Sequence, residues 1–500
     1  MGTNVIIAAS EAAPFVKTGG LGDVAGSLPL ALKKLGCDPV LFLPYYRQIA
    51  DGGIKAEPTG LTVTVPVGKR EITAEVLLGS HNGVPVYFIK RDEYYDRSFL
   101  YGTPDGDYFD NLERYAFFSR AVLETLKARS FDPGIIHCHD WQTGLIPAYL
   151  RDAYKNDLCF ASTATVFTVH NIAYQGLFPA SLFDITGLSP ALFTPAGLEF
   201  WGKVNFLKAG LVYSDVITTV SEAYSSEIQT PEYGWGLDGV LKGRKHDLYG
   251  IINGVDYDEW DPSTDPLIPE RYSAADLAGK AACKRDLVKE FGLRLKNGAP
   301  VIGMVSRLAA QKGIDILIEA MPALMKLNAA FAIIGAGDRR YVTELEELAR
   351  RYPGKLSVRI VFDKRLSHLV EAGSDIFLMP SRYEPCGLNQ IYSLRYGTVP
   401  VVRATGGLDD TVRGYDGVDG NGFKFRDYSA ASLVGKVREA LTVFKDREAW
   451  EGLQRAGMKE DFSWERSAAR YIELYDRCSK SVQQVLKNTQ SKAPVRITPA

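Results

Sequence analysis

The stretch VIGMVSRLAAQKGIDILIEAMPALMKL, Val301 to Leu327, opens with a short apolar run (Val301–Val305), turns through Ser306, Arg307 and Lys312, and continues as a helical segment to Leu327. A run that short and that uniformly apolar reads as a strand buried on both faces, the signature of a parallel sheet. The unit recurs. Phe331–Ile334, Ser357–Phe362, Ile376–Met379 and Val399–Val402 are similar runs, with a helix over Arg340–Arg351 among them. An earlier series reads the same way: Val5–Ala9, Val40–Leu43, Val86–Ile89, Ile135–His137, Thr165–Val169 and Val216–Val220. Two αβ series predict two parallel sheets in an α/β fold, each a doubly wound Rossmann-like domain. Thr62–Val67 and Ile72–Leu78 alternate instead, and read as an antiparallel hairpin turning around Gly68.

Five hundred residues with 46% hydrophobic content suffice for two large cores. The Asp-, Pro- and Gly-rich segment Ile252–Tyr272 separates the two series, so the domains are drawn as 1–253 and 254–461. Trp464, Ala468, Tyr471, Ile472 and Tyr475 stand at helical spacing, which predicts a C-terminal helix over 462–480 that docks on the first domain. The polar residues 481–500 read as a disordered tail.

Fifty-eight Lys and Arg against sixty Asp and Glu give a net charge of −2, which excludes a general attraction to nucleic acid or acidic membranes. No apolar stretch reaches the roughly eighteen residues a membrane helix needs, and no basic region precedes the first apolar run. Six scattered cysteines have neither a disulfide framework nor a metal-binding spacing. A cytoplasmic protein with no membrane and no nucleic-acid partner is expected.

Ligands of parallel sheets bind beyond the carboxyl ends of the strands, and two such sheets facing each other would enclose a deep cleft. Those ends are polar here: Ser10 and Glu11, then HCHDW (His137–Trp141), TVHN (Thr168–Asn171) and TTVSEAY (Thr218–Tyr224). His137, Cys138 and His139 do not make a zinc site, because alternation along a strand points Cys138 away from both histidines. Arg307 at a strand end and Lys312 at a helix opening suit a diphosphate. PSRYEPCGLNQ (Pro380–Gln390) and RATGGLDDTV (Arg403–Val412) each follow a strand with a turn able to offer backbone N–H groups. TGGL occurs twice, at Thr18–Leu21 and Thr405–Leu408, once per series, and reads as two similar anion-binding turns. No GxxxxGK[ST] phosphate loop exists, and GAGDRR (Gly335–Arg340) lacks the third glycine of a dinucleotide fingerprint, which disfavours a dehydrogenase.

Taken together, KTGGLGDV, HCHDW, FTVHNIAYQGLFP, NGVD, SRLAAQKG, PSRYEPCGLNQ and TGGLDDTV resemble bacterial glycogen synthases and plant starch synthases, in that family's order. The resemblance implies the glycosyltransferase-B (GT-B) architecture and extension of an α-1,4-glucan from a nucleoside-diphosphate glucose with retention. With KTGGL starting at Lys17, there is no room for a transit peptide, so the bacterial form is expected: ADP-glucose as donor, glycogen or a malto-oligosaccharide as acceptor, no cofactor and no metal.

Carried over by motif, the resemblance implies catalytic roles for His170, Glu384, Arg307, Lys312 and Asp140. Arg307 and Lys312 would grip the diphosphate, with backbone from Gly19, Gly20, Thr405, Gly406 and Gly407. Lys17 and Asp23 would lie near phosphate or glucose. His170, Asn171, Asp140 and Asn253 would contact the sugar or its neighbours. Glu384 with Cys386, Gly387 and Leu388 would hold the glucose, and Phe362 would stack on the adenine. Two departures stand out. Tyr392 occupies the place of the second glutamate common among glycosyltransferases of this architecture, and Phe362 stands where the family commonly has tyrosine.

Overall fold

The apolar runs become strands because both of their faces are covered. In the computed structural model, which describes residues 3–296 and 298–491, Val5, Ile6 and Ile7 are at most 1% exposed. The described chain divides into two units: one runs to Val220 and adds Ser225–Gly254 and the chain from Trp464, while the other holds Ser221–Tyr224 and Val255–Ser463.

The first unit is built on nine strands, in the order Leu248–Gly250, Val216–Thr219, Ala164–Val169, Ile135–His139, Asn4–Ala8, Asp38–Pro44, Val84–Lys90, Arg70–His81 and Glu57–Val67. The first seven run parallel. The last two form the expected antiparallel hairpin, with Val63, Val65 and Val67 buried between exposed Thr62 and Thr64. Chain order reverses at Asn4–Ala8, which is flanked by Asp38–Pro44 and Ile135–His139. That is a topological switch point, where open parallel sheets bind ligands.

The second unit has six parallel strands in the order Leu356–Arg359, Ala330–Ile334, Val301–Val305, Ile376–Met379, Val399–Arg403 and Phe423–Phe425. In order of appearance this is 3-2-1-4-5-6, the doubly wound nucleotide-binding order. Ile302 and Met304 enter one apolar cluster, and Val301 the cluster on the opposite face. The switch point falls between Val301–Val305 and Ile376–Met379.

Three boundaries differ from the sequence reading. The helix expected from Lys312 begins at Ile314, because Gly313 takes a left-handed φ of 73° after the short turn Ala310–Lys312. The strand expected to reach Phe362 stops at Arg359, where the strand it pairs with also ends, at Ile334. The C-terminal helix runs Trp464–Ser491 rather than stopping near 480. No Gly or Pro interrupts it, and the first breaker is Pro494. The tail expected from 481 is therefore helical to Ser491, and the rest of it lies outside the described residues. No described helix is long and apolar enough to cross a membrane.

Candidate active site

In the second unit, two loops bracket the switch point and are laced together. Arg382 N–H donates to Gln311 O at 2.8 Å, and Asn389 Nδ2 donates to Val305 O at 2.6 Å. Gly313 is required there: a Cβ would sit 2.0 Å from Pro380 O. This lacing sets Lys312 Nζ 2.6 Å from Glu384 Oε2, with Ser381 Oγ donating to the same oxygen at 3.1 Å. Arg307 is exposed, and its Nη2 reaches Gln311 Oε1 at 3.3 Å. A paired lysine with an exposed arginine in the same loop is a charge arrangement suited to an oxyanion.

Cys386 is buried and Gly387 takes a φ of 73°. Gln390 Nε2 donates to both of their carbonyls, at 3.1 and 3.0 Å, which fixes the turn ahead of the helix Asn389–Arg395 that Leu388 precedes. Thr405 is buried, and Gly406 and Gly407 begin the short helix Gly406–Thr411. Phe362 is 68% exposed in the loop after Leu356–Arg359. Tyr392, in the place of the second glutamate, stacks on Trp260 with ring centroids 3.9 Å apart.

In the first unit, Asp140 follows Ile135–His139 with a φ of 56°, a strained value for a non-glycine residue. Its Oδ1 accepts from His170 N at 2.7 Å, and burial pushes its carboxyl up to about 7. His170 Nε2 lies 2.9 Å from His139 Nδ1, and the His137 and His139 rings are 4.2 Å apart on one side of their strand. Burial holds His137 and His170 down to about 3, and His139 lower than its ordinary value, so all three are neutral. Asn171 accepts from Ala173 N at 3.1 Å, opening the next loop, and Asn253 is buried. Lys17 pairs with Asp23 at 2.6 Å beside the helix Gly20–Lys34, which Gly19 precedes.

The two TGG turns are not equivalent. A Cβ at Gly19 or Gly20 would meet nothing within 4 Å, whereas at Gly406 or Gly407 it would lie 2.0 Å from Glu384 O or Cys386 O. Gly407 N–H is spent on Glu384 O and Pro385 O, at 3.1 and 3.2 Å. The second pair of glycines therefore supports the Glu384–Cys386 turn. The expectation of two similar anion-binding turns is corrected by this packing.

Residue selection from the motifs missed Glu11. It is buried at the switch point, where it accepts from Thr18 N–H and from Thr18 Oγ1 at 3.0 Å, and so holds the KTGGL loop. Its place at a strand end was the available signal. Ser381 and Gln390 sit inside a quoted motif, but only their hydrogen bonds single them out.

The starch synthase catalytic domain model matches residues 4–243, and the glycosyl transferases group 1 model matches residues 288–453. A glycogen synthase of Koribacter versatilis is 49% identical over 480 residues, covering 95% of this chain and 98% of that protein. The chain belongs to the glycogen synthase family. A second member, from Syntrophotalea carbinolica, is 48% identical and covers 94% and 98%. Within the family's solved structures, the catalytic domain of starch synthase IV from Arabidopsis thaliana, bound to ADP and acarbose, superposes with a TM-score of 0.88 at 33% identity, covering 96% of this chain and all of that one. Sucrose-phosphate synthase from Thermosynechococcus elongatus, at 17% identity and TM-score 0.59, shares the fold alone. That fold is GT-B, with parallel-sheet α/β units.

Proposed function

We propose that this chain transfers glucose from ADP-glucose to the non-reducing end of an α-1,4-glucan, with retention, and so elongates glycogen. The observation that carries the reading is the Lys312–Glu384 pair, seated beside Arg307 at the switch point of a nucleotide-binding sheet. Near end-to-end similarity to glycogen synthases supports it. ADP in the related starch synthase supports the choice of base.

Breaking the glucose–phosphate bond leaves growing negative charge on the diphosphate, and stabilising that charge is the main electrostatic task. An ammonium has three donors, so Lys312 can hold Glu384 and still reach a phosphate oxygen. Arg307 brings a second charge in a rigid fork. These two cations supply what a divalent ion would supply in a metal-dependent transferase, and no metal is required. Asp140, His170, Asn171 and Asn253 serve the sugar. Because His170 is neutral, it acts as a hydrogen-bonding partner and not as a charge.

Retention proceeds by front-face displacement, in which the departing phosphate takes the proton of the acceptor 4-hydroxyl. Glu384 is engaged by Lys312 and Ser381, which disfavours it as a covalent nucleophile. The setting is cytoplasmic, in keeping with six cysteines that form no disulfide among the described residues. The test is proton NMR of the product made from ADP-glucose and a malto-oligosaccharide. A new α-anomeric signal is expected, and a β-linked product or free glucose would refute the mechanism.

A further inference from the structure

Among the described residues, five that are not glycine have positive φ: Asn82, Ser130, Asp140, Trp201 and Trp235. Asn82 turns a tight hairpin with Gly83, Ser130 follows a helix end, and Asp140 belongs to the site above. The two tryptophans need another account, because a bulky residue at positive φ is an outlier.

Both are built alike. Phe200 pairs with Lys203 across the two-residue turn Trp201-Gly202, whose φ values are 51° and 75°. Gly234 O accepts from Leu237 N at 2.8 Å across Trp235-Gly236, at 51° and 81°. Positive φ at both central residues marks the turn type that prefers Asn-Gly or Asp-Gly. Local preference therefore argues against tryptophan at both places. Packing does not explain it either, since Trp201 is 83% exposed and Trp235 53% exposed.

The two turns abut. A Cβ on Gly236 would lie 2.9 Å from Phe200 Cζ and 3.7 Å from Trp201 Nε1. They are also held firmly. Buried Lys208 Nζ donates to Glu199 O and to Pro195 O at 2.7 Å, and Gly202 N donates to Glu199 Oε1 at 2.6 Å. Gln175 Nε2 donates to Trp235 O at 3.1 Å, and its Oε1 accepts from Asn205 Nδ2 at 2.8 Å. Gln175 lies five residues after His170, and Tyr174 beside it is 55% exposed. The patch is thus continuous with the loop that carries His170 and Asn171.

We infer that Trp201 and Trp235 form a glucan-binding platform, on which the apolar C–H faces of consecutive α-1,4-linked glucose units of the acceptor stack. This rests on the proposed glucan elongation and assigns it a binding surface. Flat, rigid, partly polar rings suit such faces, and a fixed turn presents them without an ordering cost on binding.

The test substitutes Trp201→Asn and Trp235→Asn, singly and together, with Trp201→Tyr and Trp235→Tyr as ring-retaining controls. Asn suits the turn better, so the melting temperature is expected to hold or rise, which separates ring loss from unfolding. In native gels cast with glycogen, the double Asn variant is expected to lose most of the retardation that the unsubstituted chain shows. Its KM for glycogen is expected to rise about tenfold, the size of one or two lost ring contacts, while the KM for ADP-glucose holds. The Tyr variants should recover most of both. No retardation of the unsubstituted chain, or equal retardation of the double Asn variant, overturns the platform. So does a change in self-association with glycogen binding intact, which would make the rings a contact between copies. Ring-dependent retardation without transfer from any donor would leave the platform standing and refute the proposed elongation.

Discussion

Lys312 Nζ lies 2.6 Å from Glu384 Oε2, and the two side chains are 19% and 6% exposed. The contact joins the loop after Val301–Val305 to the loop after Ile376–Met379, so one ion pair both braces the switch point and keeps an ammonium there. Arg307 differs. It is exposed, and the bond to Gln311 at 3.3 Å is long.

The two cations should therefore separate by experiment. Lys312→Ala is expected to lower kcat by about 10² or more, the cost of removing one transition-state charge partner, and to lower the melting temperature, since Glu384 is left buried with only Ser381. Arg307→Ala is expected to raise the KM for ADP-glucose and lower kcat with no change in melting temperature. Steady-state kinetics and thermal denaturation of both proteins check this, and wild-type turnover by Lys312→Ala would remove it from the mechanism.

Glycine substitutions distinguish the two TGG turns. Gly407→Ala forces a methyl against Cys386 O and is expected to cost about 3 kcal/mol of stability, at the upper end for overpacking. Gly20→Ala meets open space at a helix start, so the fold should hold, while the KM for ADP-glucose rises if a ligand backs onto that turn. Unfolding curves paired with donor titrations read both effects. A Gly20→Ala protein with unchanged kinetics would show that the turn touches no ligand.

Stability should depend on pH through the buried histidines. Between about pH 4 and 6.5, the unfolded chain protonates His137, His139 and His170, while the folded chain keeps them neutral. Asp140 acts in the opposite sense, being protonated in the folded chain up to about 7 and ionised in the unfolded chain. Burial raises the carboxyls of Glu11 and Glu371 as well, so these oppose the histidines alongside Asp140, and the histidines' own contribution is a stability that climbs with pH in that window. Urea unfolding across pH 4 to 8 measures the slope, which His137→Gln should reduce.

Asp140→Asn isolates the opposing contribution. Its amide oxygen can still accept from His170 N, but it cannot ionise. The stability the wild type draws from its protonated carboxyl is present below the unfolded pKa and is lost as pH rises through about 7. The wild type's advantage over Asp140→Asn should therefore shrink between pH 5 and 8. An advantage that stays level from pH 5 to 8 would mean that Asp140 is ionised throughout.

The sheets were legible in the sequence because strands buried on both faces leave uninterrupted apolar runs, as in Val301–Val305 and Ile376–Met379. Boundaries were less so: Gly313 moved a helix start, and the absence of any breaker before Pro494 carried the last helix to Ser491. Of the candidate residues, Asp140 and His170 directly follow the strands Ile135–His139 and Ala164–Val169 in the first unit, and Arg307, Lys312 and Glu384 lie in the loops after Val301–Val305 and Ile376–Met379 in the second. What could not be read was which backbone donors are already spent. Gly407 N–H is engaged and Gly20 lies open, although both sit in the same four letters. Glu11 stood out in the sequence only as a polar strand end, and its hold on the loop through Thr18 is visible only in the fold. Trp201 and Trp235 became conspicuous through their dihedral angles, which no residue count reveals.

The central claim is tested most directly by incubating purified protein with glycogen, a metal chelator and either radiolabelled ADP-glucose or radiolabelled UDP-glucose, and counting label in chains that β-amylase digests. Incorporation from ADP-glucose, undiminished by the chelator and greater than from UDP-glucose, is the expected result. Absence of incorporation from both donors would contradict the account.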